Sequence, residues 1–431
     1  MTLRPYQTDL VDRCARAYLA HRAVVMQMAT GGGKTRCAAT IIQRALARGR
    51  RVVFAAHLDA IIGDTIRRLA DDGITAGAVQ AGRAADPTAP VQVCSLQTLH
   101  SRGEAPPADL VILDECHRAV APTVTAILQR YPKAKLLGLT ATPERGDGQP
   151  LGDVFSHMEC GPSVRELQAL GVLVPCQVYA PKKYVAEGIA SEPIDAIRKH
   201  ASGRQTVVFC ASVEASRLLA EQAAADGLAA AHVSGEEDMQ QRRETLAAFA
   251  EKRVQVLTNC MVLTEGWDAP CAEVCILARG CTADSTYLQM VGRVLRSSPG
   301  KTYATLVDLK GAIHRHGMPD EPREYSLTRG IHTTRGKRLA LRSCPMCGRT
   351  FETASECVCG HVFPKKPPPK VRATEVELVA AADPRKVWRR FEELRRIARE
   401  RQYKPTWVGI QFKTEFGFWP RWSAVEKGRY G

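Results

Sequence analysis

The chain has 431 residues, which suits two or three ordinary domains rather than a single core. Hydrophobic content of 45% with 24% charged residues excludes a disordered chain, and no apolar run approaches the roughly 18 residues of a membrane span. The formal charge is +15, and the lack of an apolar secretory signal points to a cytoplasmic protein, away from membranes. In that reducing setting the 15 cysteines, scattered singly in apolar runs (Cys94, Cys210, Cys275), read as small core residues rather than disulfides.

Apolar runs at 23–28, 51–56, 91–96, 110–115 and 135–140 have the length of buried strands. Helical patterns lie between them: in KTRCAATIIQRALARG, Cys37, Ile41, Ile42 and Leu46 share one face. Apolar strands alternating with helices predict a parallel sheet covered on both sides. The pattern pauses over 145–175, at RGDGQP and a predicted helix SVRELQALG, and restarts at 206–211, 229–234, 254–259, 274–279 and 303–309. The predicted fold is therefore α/β, with two parallel-sheet domains in tandem. A cysteine cluster, a stiff PKKPPPK linker and a basic, mainly helical tail follow. The expected boundaries are 1–170, 171–325, 340–364 and 371–431.

At the end of the first predicted strand stands Met28-Ala29-Thr30-Gly31-Gly32-Gly33-Lys34-Thr35, opening a helix. Phosphate oxygens need converging backbone N–H groups, and glycines let the chain approach closely enough to supply them. Lys34 is placed to neutralise the β- and γ-phosphates of ATP, and the Thr35 hydroxyl to hold Mg²⁺. Met28 occupies a position where the general P-loop pattern has glycine, so the fit begins at the third residue. Seventy-nine residues after Thr35, the run LVIL ends in Asp114-Glu115-Cys116-His117. A carboxylate at that strand end, beside a P-loop, gives Mg²⁺ its second anchor, and Asp114 fits that role. Glu115 is placed to orient and deprotonate the attacking water.

Cys344-Pro-Met-Cys347 is followed, after nine intervening residues, by Cys357-Val-Cys359. Two close thiolate pairs suit a tetrahedral Zn²⁺ of structural type, because four thiolates leave no open position for catalysis. The second pair has one intervening residue instead of two, which makes His361 a candidate substitute ligand. Residues 321–431 hold 24 lysines and arginines against 12 acids, so most of the net charge lies there, with four of the five tryptophans (Trp388, Trp407, Trp419, Trp422). Basic residues interleaved with aromatics suit nucleic acid, and a protein partner is the alternative occupant of the tail. Asp383 is a predicted N-cap with Pro384 at the first helical position. Trp388, Phe391, Leu394 and Ile397 then form an apolar stripe expected to pack on protein. Aromatics around Trp407-Val408-Gly409 and Phe416-Gly417-Phe418-Trp419 are expected to be exposed.

The assembled motifs resemble those of superfamily 2 helicases of the DEAD/DEAH-like kind, over about 300 residues. Arg4-Pro5-Tyr6-Gln7 is similar to the adenine-reading motif, which implies Gln7 on the adenine edge and Arg4 against its face. MATGGGKT and DECH resemble motifs I and II. Thr140-Ala141-Thr142-Pro143 resembles motif III, which links hydrolysis to nucleic-acid binding. Thr264-Glu265-Gly266-Trp267-Asp268-Ala269-Pro270 resembles motif V, implying that Gly266 and Asp268 meet the sugar side of the nucleotide. Gln289-Met290-Val291-Gly292-Arg293-Val294-Leu295-Arg296 resembles motif VI. That likeness implies two RecA-like domains, with Gln289 sensing the γ-phosphate or the attacking water. Arg293 and Arg296, three apart on one helical face, would be the cations a second domain delivers to the γ-phosphate. LRPYQ, DECH, LGLTATP, the late cysteines and the tail are similar to bacterial RadD-like and phage-encoded helicases. The resemblance implies an ATP-dependent DNA helicase or translocase of repair, recombination or replication. An RNA-dependent ATPase and an ATP-gated clamp without turnover are the alternatives. His57, Gln97 and Thr98 follow strands where the family binds phosphates, and they suit backbone contacts or helix caps equally.

Overall fold

Among the described residues, seven strands form the first sheet: β1 (Ala23–Gln27), β2 (Val52–Ala56), β3 (Ala76–Val79), β4 (Val91–Ser95), β5 (Leu110–Leu113), β6 (Lys135–Thr140) and β7 (His157–Cys160). All pair in parallel, in the order β3-β4-β2-β5-β6-β1-β7. The second sheet holds β8 (Cys176–Tyr179), β9 (Thr206–Cys210), β10 (Ala230–Val233), β11 (Val256–Asn259), β12 (Val274–Ala278), β13 (Ala304–Asp308), β14 (Leu341–Ser343) and β15 (Thr350–Glu352). Its order is β10-β11-β9-β12-β13-β8-β15-β14, with the last two strands antiparallel. The chain is described here by a computed structural model, which covers 3–56, 59–80, 86–102, 105–118, 122–144, 150–264, 266–328, 341–352, 355–363, 384–416 and 419. The expectations for His57, Asp383, Gly417, Phe418 and Trp422, and for the linker, lie outside those residues.

Central strands are buried along their whole length, as in β1, β2, β9, β12 and β13, because helices cover both faces of each sheet. That double covering removes the alternation of a half-exposed strand and leaves the unbroken apolar runs seen in the sequence. The helix Lys34–Leu46 buries Cys37 and Ile42 against the first sheet, with Ile41 and Leu46 packed beside them. Ser163 and Glu166 make a reciprocal capping box that starts the helix Val164–Ala169, as SVRELQALG predicted. Strands β3, β7 and β8 were not expected from sequence. Each has four residues, and β7 carries the polar His157 and Glu159 at a sheet edge, so no period is legible.

The cysteine segment does not stand apart: β14 and β15 form a hairpin that extends the second sheet through Thr350 opposite Val178. Residues up to Phe363 form one compact unit, and those from Pro364 a second. In the second, helices Pro384–Glu400 and Pro405–Phe416 bury Val387, Phe391, Leu394, Ala398, Val408 and Phe412 between them. Arg390 joins the two through both oxygens of Glu415, at 2.9 and 2.8 Å. The apolar stripe therefore packs on protein, as expected. The exposed setting expected for Trp407-Val408-Gly409 and Phe416 is corrected: Val408 and Gly409 are buried, and Trp407 and Phe416 pack on the same core. Two facing helices with one small core need those rings to close it. Trp419 does remain 54% exposed, with Lys413 Nζ 4.8 Å from its ring centre. Among the described residues, no helix is long and apolar enough to cross a membrane.

Phe412 is the best-buried ring on its helix. Replacing it with alanine should cost about 3–5 kcal/mol, more than so small a core can spare. Phe412→Ala is expected to lose the helical signal of 384–416 by circular dichroism and to open that segment to protease, while nucleotide binding persists. Unchanged helicity and protection would show that the hairpin does not depend on this core.

Candidate functional site

The P-loop lies between β1 and the helix Lys34–Leu46. Gly31 and Gly33 hold φ of +86° and +97°, backbone that side chains rarely adopt, and a Cβ on Gly33 would run into the Gln7 amide. Met28, where the general pattern has glycine, is fully buried beneath Gly32. It acts as packing for the loop. Lys34 Nζ donates to Met28 O at 3.2 Å. Burial lowers the Lys34 pKa, opposed by Glu115 and then Asp114. Gln7 is engaged at both ends, accepting from the Arg4 N–H at 3.0 Å and donating to Gly32 O at 3.1 Å. The Tyr6 hydroxyl donates to the same carbonyl at 2.8 Å. The segment expected to read adenine thus also braces the phosphate loop.

After β5, Glu115 takes φ of +47°, a left-handed conformation that costs a non-glycine residue roughly 1 kcal/mol or more. The neighbouring Asp114 carboxylate accepts the Glu115 N–H at 3.1 Å. Among the described residues Glu115 Oε2 is buried without a hydrogen-bond partner, 3.4 Å from His117 Nδ1. His117 Nδ1 also lies 3.1 Å from Thr140 Oγ1. The Thr140 hydroxyl spends its proton on Thr142 O at 2.7 Å, so it accepts from His117, and Nδ1 carries the hydrogen. His117 and Thr140 therefore connect DECH to TATP directly. Cys116 is core, its thiol pushed well up by burial.

Arg4, Gln7, Thr30, Gly31, Gly32, Gly33, Lys34, Thr35, Asp114, Glu115, Gly266, Asp268, Arg293 and Arg296 line one cleft of about 530 Å³, a size that suits a nucleotide. Arg296 reaches across from the second domain and packs on Gly31. Among the described residues its buried Nε has no acceptor, while Nη1 pairs with Asp268. Burial and then Arg68 lower the Arg296 pKa to about 10. Arg68, on the first-domain helix Asp59–Asp71, meets the other oxygen of Asp268 at 3.2 Å. Arg293, also in the cleft wall, donates to Thr264 O and Trp267 O of its own domain. Gln289 is buried and does not line the cleft, although among the described residues its Nε2 has no hydrogen-bond partner.

Several residues at this site carried no sequence signal. Lys301 donates to Pro270 O at 3.2 Å and Arg296 O at 2.7 Å, stapling the motif V and motif VI segments, and burial lowers its pKa to about 8. Arg68 was likewise unmarked, because arginines on exposed helix faces are common. Gln97 is exposed and Thr98 buried, and the helix cap beside them is Ser95. Cys344, Cys347, Cys357 and Cys359 converge, with all four sulfurs within 4.8 Å of one another, and His361 lies outside that group.

Residues 1–145 match the family model of the type III restriction enzyme res subunit, and 190–298 that of the helicase conserved C-terminal domain. The chain is 26% identical over 364 residues to a 51.5 kDa protein of a Lactococcus phage, covering 79% of this chain and 78% of that protein. It is 26% identical over 360 residues to irc3 of Schizosaccharomyces pombe, named as a mitochondrial ATP-dependent helicase, covering 75% of this chain but only 59% of that protein. A structure titled as the fragment of a type I restriction enzyme HsdR subunit from Vibrio vulnificus aligns with TM-score 0.57 and 23% identity, over 74% of this chain and 66% of that one. The likeness to that structure is one of fold: the two parallel-sheet domains have the RecA-like fold.

Gly33→Ala is expected to force the loop out of its left-handed turn and away from Gln7. Nucleotide affinity should fall by about 5- to 150-fold, the equivalent of about 1–3 kcal/mol of backbone strain. Titration with a fluorescent ATP analogue checks this, and wild-type affinity would show that the loop binds nucleotide in another conformation.

Proposed function

Because the chain belongs to the superfamily 2 helicases, we propose that it couples ATP hydrolysis to movement along DNA or to its remodelling. The observation that carries this reading is Arg296, a second-domain cation seated on the P-loop of the first with a buried donor lacking an acceptor. Lys34 exchanges Met28 O for the β- and γ-phosphates. Thr35 and Asp114 would hold Mg²⁺, which supplies charge neutralisation at the phosphates when bound. Glu115, strained and with a free carboxylate oxygen, takes the proton of the attacking water. Arg296 leaves Asp268 for the charge that develops on the γ-phosphate. Arg293, in the same cleft wall, ties the motif V and motif VI segments together beside the phosphate, and Gln289 supports them from behind that wall. Gln7 and Arg4 form the adenine side, with Gly266 and Asp268 toward the sugar.

The state of the γ-phosphate reaches the rest of the domain through Glu115, His117, Thr140 and Thr142. Cleft closure with ATP and opening after hydrolysis would then alternate the grip of two domains on one strand. DNA is the assigned nucleic acid: motif II reads DECH and motif III TAT, and the first-domain match is to a restriction-enzyme subunit. The tail, with its arginine-rich helix Pro384–Glu400, adds phosphate contacts. The four cysteines fit structural zinc. Cys344–Cys359 and Cys347–Cys357 sulfurs lie 3.6 Å apart, too far for disulfides and close to the ~3.8 Å of a tetrahedral site with bonds near 2.3 Å.

ATP turnover should rise on adding single-stranded or duplex DNA, and rise less with RNA. Arg296→Ala should lower DNA-stimulated turnover by about 10³-fold and ATP affinity far less, because the finger engages fully at the transition state. Stimulation by RNA alone, or a variant that loses binding but keeps its rate, would overturn this assignment.

Metal analysis of the purified chain should find about one zinc. Cys347→Ser should lose it and loosen the β14–β15 hairpin, with ATP binding retained. Metal-free protein together with a silent variant would identify the cluster as free thiols.

A further inference from the structure

Lys301 follows Arg296 in the chain, past a turn that its own N–H closes on Ser298 O at 3.0 Å. Only 8% exposed, it points its ammonium inward and donates to three backbone carbonyls: Pro270 O at 3.2 Å, Ala272 O at 2.5 Å and Arg296 O at 2.7 Å. An ammonium has three N–H groups and no acceptor, so three carbonyls use all of them. Among the described residues no carboxylate lies within ion-pair distance of Nζ, and the nearby Glu273 is engaged by Arg204 at 3.6 Å. This buried charge grips main chain.

The three carbonyls belong to the two segments that set the position of Arg296. Val174 N–H donates to Leu295 O at 2.8 Å and the Ser297 hydroxyl to Val172 O at 3.1 Å, which ties the neighbours of Arg296 to the chain joining the two domains. Arg296 O itself is taken by Lys301. Pro270 stands two residues after Asp268, the carboxylate that pairs with Arg296 Nη1. Lys301 therefore holds the backbone at or beside both members of that pair, while Arg293 holds the earlier part of motif V through Thr264 O and Trp267 O. Lys301 does not line the nucleotide cleft, whereas Pro270, Arg296 and Ser297 do.

We propose that Lys301 is a positioning residue for ATP hydrolysis: its ammonium fixes the backbone of Arg296 against motif V, so that the guanidinium meets the γ-phosphate in one geometry. The inference rests on the arginine-finger reading above and adds the group that aims the finger. Burial lowers the Lys301 pKa to about 8, opposed by Glu273 and then Cys271, with Arg204 and Arg296 adding to the fall. Cys176, on β8, also faces Lys301; burial pushes its thiol up to about 12 and raises that of Cys271, so neither thiol titrates with the lysine. A neutral amine has two N–H groups and a lone pair, and so leaves one of the three carbonyls without a donor. The aim of the finger should fail as pH rises through about 8. The fold should not weaken with it. An unfolded lysine keeps its proton to about 10.4, above the folded value, so this group's contribution to stability rises as pH climbs past the folded pKa.

The experiment measures ATP turnover of the full-length chain with single-stranded DNA from about pH 6.5 to about pH 9.5, for wild type, Lys301→Met and Arg296→Ala, with thermal melts of the wild type at each pH. Wild-type kcat should fall by up to about tenfold per pH unit above about 8, with KM for ATP within about twofold and an undiminished melting temperature. Lys301→Met should turn over about 10²-fold more slowly at neutral pH, the effect of a misplacement of roughly 1 Å, and should lack the step near pH 8. A Lys301→Met chain that keeps wild-type turnover, beside an Arg296→Ala chain that loses it, would overturn the positioning role and leave the finger intact. A wild-type kcat that holds level across the range, or that falls only as the fold melts, would do the same without relying on any variant. Wild-type turnover by Arg296→Ala would overturn both.

Discussion

Positive charge stands on both walls of one narrow cleft, and the behaviour of the two RecA-like domains depends on what neutralises it. Lys34 comes from the first domain and Arg296 from the second, and burial lowers the pKa of each. Cations withdrawn from water gain more from an anion than exposed ones do, because the local dielectric is low. Asp268 supplies part of that charge, shared between Arg296 and Arg68. A triphosphate supplies far more. The interface between the domains is therefore sensitive to the charge of the nucleotide, which changes on hydrolysis.

Both walls inherit their positions from the same topological rule. Parallel strands place their carboxyl ends on one edge, and the P-loop, DECH and TATP all follow strands of the first sheet in that way. Neighbouring strands β5 and β6 bring His117 to Thr140, so the Glu115 carboxylate and the backbone turn at Thr142 are linked through one ring and one hydroxyl. The left-handed Glu115 departs from ordinary backbone preference at the residue with a buried, unpartnered carboxylate oxygen. Strain is tolerated there because the flanking strand and the Asp114 contact over-determine the turn.

Accessory parts follow different physics. The cysteine hairpin borrows stability from the second sheet, and four converging sulfurs suit a metal crosslink in place of a core too small to persist alone. The C-terminal helices instead close a small aromatic core of their own, with Arg390 and Glu415 bridging its rim. Charge on that hairpin is peripheral, whereas its tryptophans and phenylalanines are mostly structural.

Much of this was legible in the amino-acid order. Unbroken apolar runs revealed buried parallel strands, and short local motifs revealed the phosphate loop, the DECH acids and the cysteine pairs, because those chemistries need neighbouring residues. Local spacing also marked two arginines alike, and both line the cleft, yet their contacts differ: Arg293 donates to Thr264 O and Trp267 O of its own domain, while Arg296 packs on Gly31 of the other. Arg68, Lys301 and the inward packing of Trp407 were likewise decided only in three dimensions. Arg68 meets Asp268 across 200 positions of chain. A sequence records which groups are adjacent along the backbone, whereas hydrogen-bond partners and burial are set by which surfaces meet, and that is a property of the assembled sheets.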